Sequence, residues 1–239
     1  MRNLLAGELI KVRTTRTAFG FALAALLLLV ASSLITLLAT DPVTIEDKRA
    51  ALSFGGLLAL ITLVYGAVGA TGEFRHRTLA PAVLIAPDRV RLVLARMGAY
   101  GVAGALFGLV LGAVSLALGL PLLAGLAGPA LETSDYVSLV AGGLAAATLC
   151  AVLGVAVGTL LRNQVGAVVG VLVWVLVVEP LVGVADQDLT RYTIGISSGA
   201  LGAGGNSDAS MLTAALVLGS WTAALAAAGT LVDRRRDVE

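Results

Sequence analysis

The sequence predicts an all-α integral membrane protein, a single transmembrane domain over residues 1–239, on three observations. The first is composition: of 239 residues 58% are hydrophobic and only 13% charged, with a mean hydropathy of +0.97. Soluble domains are about half apolar and about a quarter charged, and a chain this apolar would expose large adhesive patches to water. The second is the presence of six apolar windows of spanning length. The third is a one-sided distribution of Lys and Arg along the connections between them.

A spanning helix needs about 20 mostly apolar residues, because the hydrocarbon core is roughly 30 Å thick. The windows fall at about 18–39, 52–72, 98–120, 137–161, 165–184 and 211–232. Breakers separate them. Asp41-Pro42 follows the first, Pro121 and Pro129 follow the third, and Arg162-Asn163-Gln164 leaves a tight turn between the fourth and fifth. Pro180 falls near the end of the fifth window, where Glu179 is the nearest approach of a charge to a span interior. The first window is longer than a signal-peptide core of about 7–15 residues and follows a long charged segment, so it is expected to be a retained helix.

Orientation follows from the basic residues. An even number of spans leaves both termini on one side. That side carries Arg2, Lys11, Arg13, Arg16, Arg75, Arg77, Arg89, Arg91, Arg96, Arg162, Arg234, Arg235 and Arg236, against Lys48, Arg49 and Arg191 on the other. Both termini are therefore expected in the cytosol of a cell (cytoplasmic) membrane. The opposite loops are acidic, with Asp41, Glu46, Asp47, Glu132, Asp135, Asp186, Asp188 and Asp208. Their longest member, about residues 185–210, is Gly-rich and moderately apolar; it reads as a flexible loop or as a short helix dipping back into the membrane. A dip must be shielded by protein.

Composition narrows the function. A net charge of +1 gives no reason to expect a nucleic-acid partner, and the single Cys150 excludes an intrachain disulfide or a cysteine metal site. The one histidine, His76, offers little imidazole chemistry. No H-E-x-x-H, nucleophile elbow or G-x-x-x-x-G-K-[ST] loop occurs. The spans hold no interior carboxylate relay of the kind that serves proton or sodium coupling. Gly104, Gly108 and Gly112 recur at intervals of four in the third span, with Gly154 and Gly158 in the fourth and Gly166 and Gly170 in the fifth. Small residues so spaced share one helix face and admit close backbone approach, either within the bundle or at a dimer interface.

Two stretches on the basic side are distinctive. In MRNLLAGELIKVRTTRTAFG, Leu5, Leu9 and Val12 form an apolar stripe beside Glu8, Lys11 and Arg13. It suits a short interfacial helix, or a basic flank that sets topology. Between the second and third windows runs GEFRHRTLAPAVLIAPDRVRLVLAR, residues 72–96. Thr78 can cap a helix and Pro81 fits its first turn. Leu79, Val83 and Leu84 give an apolar face, Pro87 ends it, and Asp88 with the following basic residues leads into the third span. A short apolar helix on this loop suggests a docked partner, or a helix lying on the membrane.

These stretches carry a resemblance. GELIKVRTTRT resembles the E-x-x-K-x-x-[ST]-x-R opening of ABC-2 type permease subunits of ABC transporters, an exporter-like family common in actinobacteria. Residues 72–96 resemble that family's G-E-[FY]-R-H-x-T…L…P-x-R…[KR] signature, and WVLVVEP, residues 174–180, is similar as well. Arg77 stands where many relatives have Gly, and Arg96 where many have Lys.

The resemblance implies a coupling helix over 78–86 seated in a cytosolic ATPase. Glu73, Arg75, Thr78, Leu79, Val83, Leu84, Pro87 and Arg89 would serve that contact, and Glu8, Lys11, Arg13 and Arg16 would belong to an interfacial connecting helix. It further implies re-entrant outer helices between spans five and six, and a second permease subunit as homodimer or heterodimer. The chain itself would be no enzyme and hold no cofactor; ATP and Mg2+ would bind the partner ATPase. The expected function is ATP-driven export of an amphipathic substrate: an antimicrobial peptide, a drug-like natural product or a lipid-linked molecule. The alternatives are a non-transporting membrane scaffold or immunity protein, and an ion channel.

Overall fold

A computed structural model describes residues 2–39, 42–53, 56–75, 89–123, 127–206 and 209–235, and every regular element among them is helical. In chain order these are α1 (Arg2–Thr14), α2 (Arg16–Ala39), α3 (Ile45–Leu52), α4 (Gly56–Arg75), α5 (Arg89–Leu123), α6 (Thr133–Leu161) and α7 (Gln164–Val173). A π turn (Trp174–Val178), α8 (Glu179–Ala185), α9 (Gln187–Thr190), α10 (Ile194–Gly202) and α11 (Met211–Arg235) complete the order. Six helices are long and apolar enough to cross a membrane. They match the six windows, with differences at the ends that have local causes.

The break between α1 and α2 is a side-chain effect. The hydroxyls of Thr14 and Thr15 donate to the carbonyls of Ile10 (2.8 Å) and Lys11. Such back-bonding competes with the helical ladder and lets α1 leave the axis of α2. On the opposite side of the first span, α3 is an element that the apolar windows do not anticipate. Thr44 caps it in a reciprocal box with Asp47: Asp47 N–H donates to Thr44 Oγ1 (3.1 Å) and Thr44 N–H to Asp47 Oδ2 (3.2 Å). Leu52, expected to open the second span, belongs instead to this helix, together with Ala51. The third span is continuous with a helix that begins at Arg89, as expected of the basic residues after Asp88, and it runs through Pro121, which was expected to lie beyond it.

The turn between α6 and α7 is built by two residues. Arg162 closes α6 in the left-handed region at φ 52°, a position where glycine is usual. Asn163 then caps α7, its Oδ1 accepting from Gly166 N–H at 3.0 Å.

α6 is the axis of the bundle. Ala146, Ala147, Cys150, Ala151, Leu153, Val155 and Ala156 are all fully buried, because α4, α5, α10 and α11 pack around this Ala- and Gly-rich helix. Its neighbours approach to backbone contact. A Cβ on Gly66 of α4 would strike the Ala151 carbonyl, and one on Gly154 the Leu63 carbonyl. On α5, a Cβ on Gly108 would come within 2.8 Å of Leu144 Cα. An aromatic cluster joins three spans, α2, α4 and α5: Tyr65 lies 5.4 Å from Phe21, and 5.1 Å from both Tyr100 and Phe107, between ring centroids.

Candidate functional site

One end of the bundle gathers the last turns of α4 and α6, the first turns of α5, and α1. Gly158 lies against Ala70 and Thr71, and Leu5 of α1 lies 3.1 Å from the Cβ position of Gly98. Here α1 is pinned to α5 by charge. Glu8 is 5% and Arg96 3% exposed, and Arg96 Nε approaches Glu8 Oε2 at 3.7 Å. Lys11 Nζ holds the other carboxylate oxygen at 2.7 Å, and Arg96 Nη1 donates to the Ala70 carbonyl of α4 at 3.4 Å. Three helices thus meet on one guanidinium. Two buried charges are tolerable only while paired; removing one strands the other at a cost of about 3–5 kcal/mol.

The expected interfacial-helix residues therefore divide. Glu8 faces the bundle, whereas Lys11, Arg13 and Arg16 are exposed. Glu73 and Arg75 lie in the last turn of α4, and Arg89 opens α5. Thr78, Leu79, Val83, Leu84 and Pro87, with the helix expected over 78–86, lie outside the described residues. Gly104 and Gly108 sit in the α5–α6 contact, while Gly112 meets nothing within 4 Å and takes no part in it.

A second locus lies between spans four, five and six. The chain leaves α8 at Asp186, turns through α9, and returns to start α10 against α4, α6 and α11. The depth of that return is set by Trp221, whose indole N–H donates to the Tyr192 carbonyl at 3.0 Å. Trp221 is ten residues beyond Met211, the start of α11, hence ~15 Å along its axis.

Backbone that turns out of helical structure needs other partners for its polar groups, and neighbouring residues supply several. Thr193 N–H donates to the Thr190 carbonyl (2.9 Å) and Ser197 Oγ to the Arg191 carbonyl (2.9 Å). Both oxygens of Glu179 cap α10, accepting from Ile194 N–H (3.0 Å) and Gly195 N–H (2.8 Å). A Cβ on Gly195 would displace Glu179 Oε2 from this seat.

The π turn positions that carboxylate. Pro180 has no N–H to offer the Leu176 carbonyl and its ring would clash there. The helix widens instead, with Glu179 N–H reaching back to Trp174 O. One extra residue rotates the next turn of the helix by about 100°, and π turns of this kind are frequent at functional sites.

The π turn also borders a cavity of about 250 Å³, walled by Leu63, Val157, Val171, Trp174, Trp221 and Leu225 among others. The two indoles meet edge to face, 5.5 Å between centroids at 66°.

Sequence reasoning alone does not single out Arg96, Glu179 as a cap, or the paired tryptophans as site residues. Glu179 has a visible signal, a carboxylate beside a proline in an apolar window. Arg96 has its place at the end of a basic loop, at the closing [KR] position of the resembled signature, but neither points to Glu8. No protein-family model matches the chain, and no curated protein matches it. What the fold defines is the class: a multi-pass helical membrane protein, with a charged junction at one end and an apolar cavity walled by α10 and by the second, fourth, fifth and sixth spans.

Proposed function

We propose that the chain is the transmembrane permease subunit of an ATP-driven exporter of the ABC-2 type, with both termini cytosolic in the cell membrane. One observation carries the reading. The two stretches that resemble this family, the N-terminal GELIKVRTTRT and the 72–96 loop, contribute Glu8 and Arg96 to one buried ion pair. They act as one mechanical junction.

In this reading a separate cytosolic ATPase binds ATP and Mg2+ and engages residues 78–86. That segment joins α4 to α5, so its displacement moves both, and the Glu8–Arg96 pair carries α1 with them. The glycine contacts of α4 and α5 with α6 pass the motion to the bundle axis. Coupling requires that nucleotide states bind the loop differently. A second permease copy or a related subunit completes the route for an amphipathic substrate. The α9–α10 segment, reaching half-way down α11, serves as its re-entrant outer closure.

The test is affinity purification of the chain with its ATPase, followed by hydrolysis and export assays in vesicles. Leu84→Asp is expected to cost about 2 kcal/mol or more of ATPase binding, as for a buried interface anchor, roughly thirty-fold in affinity. Glu73→Ala is expected to weaken coupling. Binding and export unaffected by both substitutions would overturn the coupling assignment. Recovery with no ATP-binding protein would favour a non-transporting scaffold or immunity protein, and nucleotide-independent conductance in bilayers would favour a channel.

A further inference from the structure

The cavity walled by α4, α6, α7, α10 and α11 has a direction as well as a polarity. Three walls each lend it positions four residues apart: Val157 and Leu161 on α6, Gly170 on α7 with Trp174 just after it, and Trp221 and Leu225 on α11. Four residues are about one helical turn, ~6 Å of rise, so the space is a slot running along the helix axes. Leu63 and Val171 form its floor, 2% and 5% exposed, whereas Leu161 and Trp174 at its rim are 43% and 37% exposed. The slot is closed towards the bundle and open along the outer face.

The same positions fix its depth. Trp174 is ten residues beyond Gln164, the start of α7, ~15 Å along the axis. Trp221 is as far from the start of α11, which enters from the opposite side. Half of a hydrocarbon core roughly 30 Å thick is the same distance. The two indoles, in edge-to-face contact, therefore close the slot near mid-bilayer, with Ile194 at the start of α10 beside them. From that end every wall runs towards the α6–α7 turn: Trp174 to Gly170, Trp221 to Leu225, and Val157 to Leu161, the last residue of α6.

Water does not suit such a space, since a buried water needs two to four polar partners. The walls are almost wholly apolar, and the Trp221 N–H is already bonded to the Tyr192 carbonyl. Left empty, the lining side chains would lack partner atoms on one side.

The geometry points to a binding site for one acyl chain of a membrane lipid, taken from the leaflet on the side of the α6–α7 turn, with its methyl end against the tryptophan pair. Three features select a chain. The slot runs along the helix axes, as lipid chains do beside a spanning helix. Its open side faces the hydrocarbon. Its closed end stands at the depth where the chains of one leaflet stop. The site does not rest on the permease reading, because a scaffold or a channel with this fold would hold the same chain.

The chain has only two tryptophans, and both line the slot. Trp174→Phe keeps a ring at the closed end and leaves Trp221, which is only partly exposed, as the single emitter. The experiment reconstitutes the full-length Trp174→Phe protein in nanodiscs of phosphatidylcholine dibrominated near the methyl end of its chains, near the carbonyl end, or not at all. Methyl-end bromines should lower Trp221 emission at least about two-fold, since a seated chain holds them within contact distance of the indole. Carbonyl-end bromines should lower it less.

Adding Gly170→Leu fills the slot from the α7 wall, where a Cβ would make only an ordinary 3.7 Å contact with Leu161. It should restore most of the lost emission. Quenching that Gly170→Leu leaves unchanged would come from lipid around the bundle and would overturn the proposal. So would an unquenched Trp221, the result expected if a second copy of the protein covered the slot, and so would equal quenching from both bromine positions. If Gly170→Leu fails to fold, Val157→Phe narrows the slot from the α6 wall, and the same two outcomes decide.

Discussion

Glycine sets how closely the helices of this bundle approach, and it does so position by position. Gly154 packs against the Leu63 carbonyl and within 2.8 Å, at its Cβ position, of Ala67 N. These are backbone atoms that cannot swing aside. Without a hydrophobic force between helices in lipid, such close packing is a principal source of association. Gly154→Leu should therefore cost about 3 kcal/mol or more, at the severe end of overpacking. Gly112 shares the four-residue spacing of Gly104 and Gly108 but has open space around it. Gly112→Ala should be neutral or stabilising by about 0.5–1 kcal/mol, from the entropy that glycine loses in a helix. Thermal unfolding in detergent, followed by size-exclusion chromatography, checks both. Equal effects of the two substitutions would show that spacing, not the contact, governs packing.

The element that departs most from a simple bundle is the α8–α10 excursion. Its turn at Thr190–Ile194 survives beside α11 because polar groups along it find partners, from Glu179 below α10 to the Trp221 indole at the Tyr192 carbonyl. Trp221→Phe keeps an aromatic ring beside Trp174 but removes the donor. Losing one hydrogen bond of this kind costs about 0.5–1.5 kcal/mol. The expected outcome is faster hydrogen exchange at the amides of residues 190–195, with α6 unchanged. Uniform exchange across the bundle would mean that the excursion is not a separate unit. The same side opposite α1 is braced by α3: Lys48 Nζ donates to the Pro129 carbonyl (3.0 Å), and Arg49 Nη2 to Ser138 Oγ (3.1 Å) and the Gly204 carbonyl (2.5 Å). Two of the three cations that run against the basic-residue count are thus used structurally, tying three connections together.

For the molecule as a whole, the six crossings and the basic bias predict an orientation that can be measured. Cys150 is the only cysteine and is buried, so the native chain offers little background to thiol labelling. Arg13 and Gln187 are exposed, near opposite ends of the bundle. In intact cells a membrane-impermeant maleimide should label Gln187→Cys and leave Arg13→Cys unmodified until the membrane is opened. The reverse pattern would invert the topology and move residues 78–86 away from any cytosolic ATPase.

The sequence alone determined the class of protein and the number of helices long and apolar enough to cross a membrane. Both rest on local quantities: the length of each apolar run against the thickness of a bilayer, and the breakers between runs. The tight Arg162–Gln164 turn was legible for the same reason. α3 was not, because its Thr44–Asp47 cap is a short polar signal, and the Leu52 end of the helix merges with the apolar window beside it. Tertiary structure decided the rest. Glu8 and Arg96 carry no local sign of each other, and only the packing of α1 on α5 makes them one buried pair. Glu179 was visible as a charge, but its role depends on a π turn and on a helix that begins fifteen residues later. The cavity is more remote still from any sequence pattern, since its walls come from five helices. Local chemistry specifies the elements; the pairing of buried charges and the space between helices exist only once those elements are assembled.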